Sequence, residues 1–102
     1  FWDALRSANA EIVLNGHDHT YQRYPLLSPE GAPDANGIRE FIVGTGGRPA
    51  YPVAPDTRRE AVYGGNNALG ILKLTLNDGS YDWTYMPVAG QTFSDSGSGT
   101  CK

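Results

Sequence analysis

Ile12-Val13-Leu14-Asn15-Gly16-His17-Asp18-His19-Thr20-Tyr21-Gln22-Arg23 is the stretch from which the rest of the chain can be read. Ile12 to Leu14 is a short apolar, β-branched run closed by the turn formers Asn15 and Gly16, which predicts a buried strand. Gly16 lets the chain leave that strand by a turn that a side chain would forbid. Both histidines of the protein follow, two residues apart. If the backbone stays extended, side chains alternate, so His17 and His19 share one side and Asp18 takes the other. Two imidazoles facing one way at a strand end form half of a metal site, and neutral imidazole suits zinc, iron, nickel and copper and is acceptable to manganese. A catalytic zinc site usually has three protein ligands plus water. The only cysteine, Cys101, lies far along the chain. Any further ligands are therefore carboxylates of this chain or residues outside it. The competing reading is a pair of exposed or hydrogen-bonded loop histidines, since His-x-His alone carries little specificity.

Composition bounds the function. A length of 102 residues allows one small domain, and small chains bury a lower fraction of their surface. Thirteen glycines and seven prolines favour strands joined by turns over a helical bundle. A net charge of −3 with no basic block argues against a nucleic-acid backbone groove. A phosphate ester remains compatible, because metal ions can supply the positive charge. No apolar run approaches the length of a membrane span, and no signal peptide opens the sequence, so no membrane partner is expected. The chain opens on Phe1-Trp2 without a Met, as a protein begun upstream or processed would.

Outward from the histidine stretch, Phe1, Leu5 and Ala8 recur at helical spacing, with Trp2 and Arg6 one step round, and predict the last two turns of a helix. Glu11 to Asn15 is the strand that delivers the histidines. Residues 24–37 are polar and turn-rich and read as a loop with a hairpin tip at Asp34 to Gly37. Arg39 to Gly44 is a strand centred on Phe41-Ile42-Val43. Gly44-Thr45-Gly46-Gly47 then ends it. No Gly-Lys-Ser/Thr follows, so these glycines read as permitting close backbone approach or positive φ beside the site rather than as a phosphate loop.

Residues 48–67, with Pro49, Pro52, Pro55 and Gly64-Gly65, form a long irregular segment of the kind that is usually functional or mobile. Within it, Arg58-Arg59 reads as a solvated basic pair or as the lining of a substrate groove. Ala68 to Asn77 alternates, with Gly70, Leu72, Leu74 and Leu76 as the set facing the core. Asn77-Asp78-Gly79-Ser80 is a hairpin signal, and Ser80 to Val88 returns with Tyr81, Trp83 and Tyr85 on one face. That stripe reads as packing rather than a ligand platform. Residues 1–93 form the body of the domain, and 94–102 a Ser/Gly-rich tail with no core residue beyond Phe93. The expected class is α/β in the α+β sense: one helix remnant and mostly antiparallel strands, leaving a sheet edge and an apolar face to be covered.

Asn15 to Arg23, NGHDHTYQR, resembles the last signature block, Gly-His-x-His, of the calcineurin-like metallophosphoesterases. The nearest likeness is to the purple-acid-phosphatase-like branch, in which Tyr and Arg follow two and four residues after the second histidine. Gly37 to Gly47, GIREFIVGTGG, resembles the strand and Gly-rich turn of its secreted bacterial members, and Thr92 to Cys101, TFSDSGSGTC, resembles their C-terminal end.

The resemblance implies the C-terminal half of a four-layer α/β/β/α sandwich. It implies that His17 binds one metal and His19 the other in a dinuclear centre of iron, zinc or manganese. Hydrolysis of a phosphate ester by metal-activated hydroxide would follow. Both histidines are then ligands, not general bases, with Asn15, Gly16 and Asp18 around them; Asn15 and Asp18 would orient the imidazoles. Tyr21 and Arg23 would border the substrate pocket, or else Tyr21 packs and Arg23 pairs with a carboxylate. The family's other metal-binding blocks lie upstream and none occurs here, so the implied partner is the upstream half of the same enzyme and this chain alone is expected to be inactive. A secreted location is implied, with Cys101 as half of a disulfide formed upstream rather than an incidental free thiol. The alternatives are a non-catalytic β-rich C-terminal module with an incidental His-x-His, and a one-metal site without hydrolysis.

Overall fold

A computed structural model of the chain describes residues 1–50, 52–54 and 59–102. One short helix, α1 (Trp2–Ser7), precedes seven strands: β1 (Ile12–Asn15), β2 (Tyr21–Leu27), β3 (Ile38–Val43), β4 (Val62–Tyr63), β5 (Gly70–Asn77), β6 (Ser80–Pro87) and β7 (Ser96–Thr100). The fold is mixed α/β and dominated by antiparallel pairs. The first sheet runs in the order β1-β3-β2-β4 and the second β5-β6-β7. Among the described residues, only β1 and β3 pair in parallel, with Asn15 opposite Ile42. Among the described residues, no helix is long and apolar enough to cross a membrane.

The sheets face each other through aromatic rings. Tyr21 and Phe41 come from the first sheet, and Tyr81, Trp83 and Tyr85 from the second. Tyr21 meets Tyr85 at 4.5 Å and Phe41 meets Trp83 edge-on at 5.7 Å between ring centres. The stripe at 81, 83 and 85 is thus core, as its alternation implied. On β5, Gly70, Leu72 and Leu74 face the core as expected, but Leu76 is 75% exposed. It lies one pair before the hairpin turn, where no described residue of the first sheet covers it. Gly79 supplies the turn with φ 73, which a side chain adopts only with strain.

Two readings are corrected. Tyr24 and Pro25 lie in β2, not in a loop, and Tyr24 and Leu27 are buried. The strand accommodates a proline because its pairing with β3 shifts between Arg23 and Leu26, a bulge where a missing N–H costs no ladder bond. The turn at 34–37 does form: Gly37 N–H donates to Asp34 O and Asn36 N–H to Asp34 Oδ1, each at 2.8 Å.

The second correction concerns the segment 94–102. It is not a tail, for Ser96 to Thr100 pairs along β6 as β7. The faces of Trp83 and Tyr81 occupy the space where a Cβ on Gly97 and Gly99 would stand. Glycine is the residue that lets this backbone lie on those rings.

Asp95 joins the two sheets. Its carboxylate accepts from Arg23 Nε at 2.7 Å and Nη2 at 3.0 Å, from the Tyr21 hydroxyl at 2.7 Å and from Trp83 Nε1 at 3.2 Å. The guanidinium groups of Arg23 and Arg39 lie 5.1 and 4.8 Å from the Trp83 ring centre, within cation–π range. Lys102 is fastened too. Lys102 N–H donates to Glu11, and its ammonium to the carbonyls of Ala10, Asn36 and Gly37.

Burial alone would raise the Asp95 pKa, but the hydrogen bonds from Arg23 and Tyr21 outweigh it and hold the carboxyl below its ordinary value. A carboxyl depressed in the folded state stabilises above its unfolded pKa, and that contribution fades as pH falls through the folded value. Asp95→Ala leaves Arg23 half-buried without its carboxylate and should cost about 3 kcal/mol in urea denaturation at pH 7. The gap between the two proteins should narrow below about pH 4. A pH-independent gap would show that the charge is immaterial.

Candidate functional site

Parallel pairing puts the carboxyl ends of β1 and β3 side by side, and open sheets with parallel strands carry ligands at such ends. β1 delivers residues 16–20 there, and β3 delivers Gly44 to Gly47. The histidine loop does not continue extended, so the alternation expected of His17, Asp18 and His19 does not apply. Asp18 N–H donates to Gly16 O at 2.9 Å and Thr20 N–H to Asp18 O at 2.8 Å. These are two successive three-residue turns, centred on His17 and His19.

The left-handed position also falls elsewhere than expected. His17 has φ 70, whereas Gly16 is not left-handed and a methyl there would meet nothing within 4 Å. Histidine is among the residues that enter this region more readily than most. Gly44 explains the shape of the loop. The place of its missing Cβ is taken by the Asp18 carbonyl oxygen, with His19 N at 3.2 Å, and its N–H donates to Thr20 O at 3.1 Å. The glycine-rich turn is therefore a seat for the loop backbone, in keeping with close approach rather than phosphate binding.

His17 and Asp18 are exposed, His19 is half-buried and Thr20 is buried. Asn15 Nδ2 donates to Glu40 Oε1 at 2.5 Å. Asn15, Gly16, His17 and Asp18 line an open recess of about 530 Å³ with Glu40 and Ile42. This places four of the seven candidate residues around one recess, with His19 in the same loop. Tyr21 and Arg23 turn away between the sheets. Tyr21 is fully buried, and burial followed by its bond to Asp95 pushes the hydroxyl pKa far up, so it remains a donor. Burial works against the charge on Arg23, but Asp95 outweighs it and holds the group charged. Of the two readings of this pair, the structure gives packing and ion pairing.

Among the described residues, no three His, Cys, Asp or Glu side chains gather to hold a metal. Cys101 is an exposed free thiol. Arg59 borders a separate recess with Trp2, Tyr24 and Glu40; Pro55 and Arg58 lie outside the described residues. Glu40, Thr45 and Asp95 were not singled out from sequence. Glu40 alternates with apolar Phe41 in β3 and reads as a solvated face, and Asp95 sits in a stretch with no hydrophobic pattern. Compared with family models, curated proteins and solved structures, the chain gives no match.

The two glycines of the site should respond in opposite ways. Gly44→Ala forces the methyl into the Asp18 carbonyl and should cost about 3 kcal/mol. Gly16→Ala should stay within about 0.5 kcal/mol of the parent. Chemical denaturation of the two variants measures both, and equal losses would refute the seating of the loop on Gly44.

Proposed function

We propose that this chain is the C-terminal part of a dinuclear calcineurin-like metallophosphoesterase of the purple-acid-phosphatase-like branch, secreted, and hydrolysing phosphate esters with metal ions held in part by His17 and His19. The observation that carries the reading is a half-built site. His17 lines an open recess at the carboxyl end of a strand paired in parallel with β3, and His19 follows it on a loop seated against Gly44. The donor set suits iron, zinc or manganese, and the missing ligands would come from the upstream half.

The exposed edge supports this. β1 is the terminal strand of its sheet, with β3 as its neighbour. Leu14 is 57% exposed, and an apolar groove of about 400 Å³ lined by Leu14, Val43, Ile71, Leu72 and Leu74 runs beside it. Upstream strands pairing with β1 would cover that groove, and the two facing sheets would form the inner layers of an α/β/β/α sandwich.

When bound, two metal ions would supply Lewis acidity toward the phosphate ester and a nucleophile at neutral pH. The chain's own residues hold and orient. His17 and His19 each give a nitrogen to a metal and move no proton. Asn15, tied to Glu40, borders the recess where the ester enters. Tyr21 and Arg23 anchor the strand that leaves the loop to Asp95 and do not touch substrate.

Elemental analysis and hydrolysis of a chromogenic phosphomonoester test the proposal, run on the 102-residue chain and on the complete protein that carries it. The complete protein should hold two metals and turn over, the chain alone should be inactive, and His17→Ala or His19→Ala should abolish turnover and lower metal content. A complete protein without metal, or activity untouched by both substitutions, overturns the reading and leaves a β-rich module with an incidental histidine pair.

A further inference from the structure

We infer that Thr45 is a positioning residue for the His17–His19 loop, coupling it to the second sheet; the inference rests on these histidines being metal ligands as proposed above. Thr45 is 1% exposed. Its hydroxyl donates to Gly70 O at 2.9 Å, and its own carbonyl accepts from Gly70 N–H at 3.1 Å. Residues 45 and 70 thus exchange two hydrogen bonds between the end of β3 and the start of β5. They stitch one sheet to the other beside the site.

The stitch reaches the histidines through one residue. Gly44 precedes Thr45, bonds Thr20 O and has no clearance from the Asp18 carbonyl. A shift of Thr45 moves Gly44, and Gly44 cannot move toward the loop without displacing it. The turns inside the loop close three-residue rings and hold their conformation weakly. Their shape therefore depends on the surface they rest on.

The hydroxyl matters separately from the backbone bond. The Tyr85 hydroxyl is buried without a well-formed hydrogen bond among the described residues, and the Thr45 side chain lies beside it. Valine has the same shape but would leave the Gly70 carbonyl without the Thr45 donor in a buried place. Gly70 has no room to adjust, since Met86 O and the Tyr85 ring fill the position of its Cβ.

The test compares Thr45→Val, Thr45→Ser and Leu27→Ala in the complete protein. Leu27 is buried at the end of β2 remote from the histidine loop and takes no part in Thr45's hydrogen bonds. Zinc alone is the probe, its affinity read by competition with a chromogenic chelator, alongside the thermal midpoint and amide exchange at Gly44 and Thr20. Thr45→Val should weaken zinc roughly ten-fold and speed exchange at both amides, Thr45→Ser should retain both properties, and Leu27→Ala should lower the midpoint alone. If Thr45→Val is not recovered folded, Thr45→Ala against Thr45→Ser gives the same contrast of one hydroxyl. Unchanged zinc affinity and exchange in Thr45→Val, or equal losses in Leu27→Ala, overturn the inference. If the unsubstituted protein takes up no zinc, the exchange arm alone decides: acceleration confined to the hydroxyl-less variants upholds the coupling, and its absence refutes it.

Discussion

A carboxylate lies between two sheets, and the geometry of the molecule follows from how it is satisfied. Asp95 is reached by Arg23 and Tyr21 from β2 and by Trp83 from β6. Removing an ion pair from water is costly, and a cost of that kind is recovered only when every polar atom has a partner. Two donors from Arg23, the Tyr21 hydroxyl and the indole N–H meet this condition. The exchange gives specificity of placement, since only one offset between the sheets brings these donors together. That offset also sets where β5 begins relative to the end of β3, and so where Thr45 meets Gly70.

The site inherits its form from this arrangement. His17 holds a left-handed backbone, a conformation that costs free energy and persists only where neighbours over-determine it. Here the neighbour is Gly44, backed by Thr45, backed by the second sheet. Order passes from an aromatic core, through one threonine and one glycine, to a loop whose own bonds are weak. The two imidazoles are thus presented by packing at a distance and not by a strand continuing past its end.

What the sequence made legible is local and apolar. The strands at Ile12–Leu14 and Phe41–Val43, the Asp78-Gly79 turn and the aromatic alternation of β6 appear where their patterns put them, although the first, read as buried, is half-buried at Ile12 and Val13 and exposed at Leu14. What it hid is long-range. β7 has no apolar alternation because its inward, half-buried positions are Gly97 and Gly99, and the hydrophobic surface they cover belongs to Trp83 and Tyr81. Asp95 looks like a soluble tail residue because its acceptor role depends on donors 72 and 74 positions earlier. Pro25 in a strand is legible only once the bulge beside it is known. The loop's departure from an extended path has the same origin, for Gly44 lies 26 residues after Asp18.

The anchoring of Lys102 has a consequence for synthesis. Its bond to Glu11 spans 91 residues, and Asp95, seven residues before it, is the acceptor for three side chains already made. Chains emerge N-terminus first, and contacts of such separation carry the largest loop-closure cost and form late. Until residues 95–100 have left the ribosome, Arg23 and Tyr21 lack their acceptor, and the rings of Trp83 and Tyr81 lack the strand that covers them. The aromatic core therefore stays uncovered during synthesis until β7 and Asp95 are available to close it.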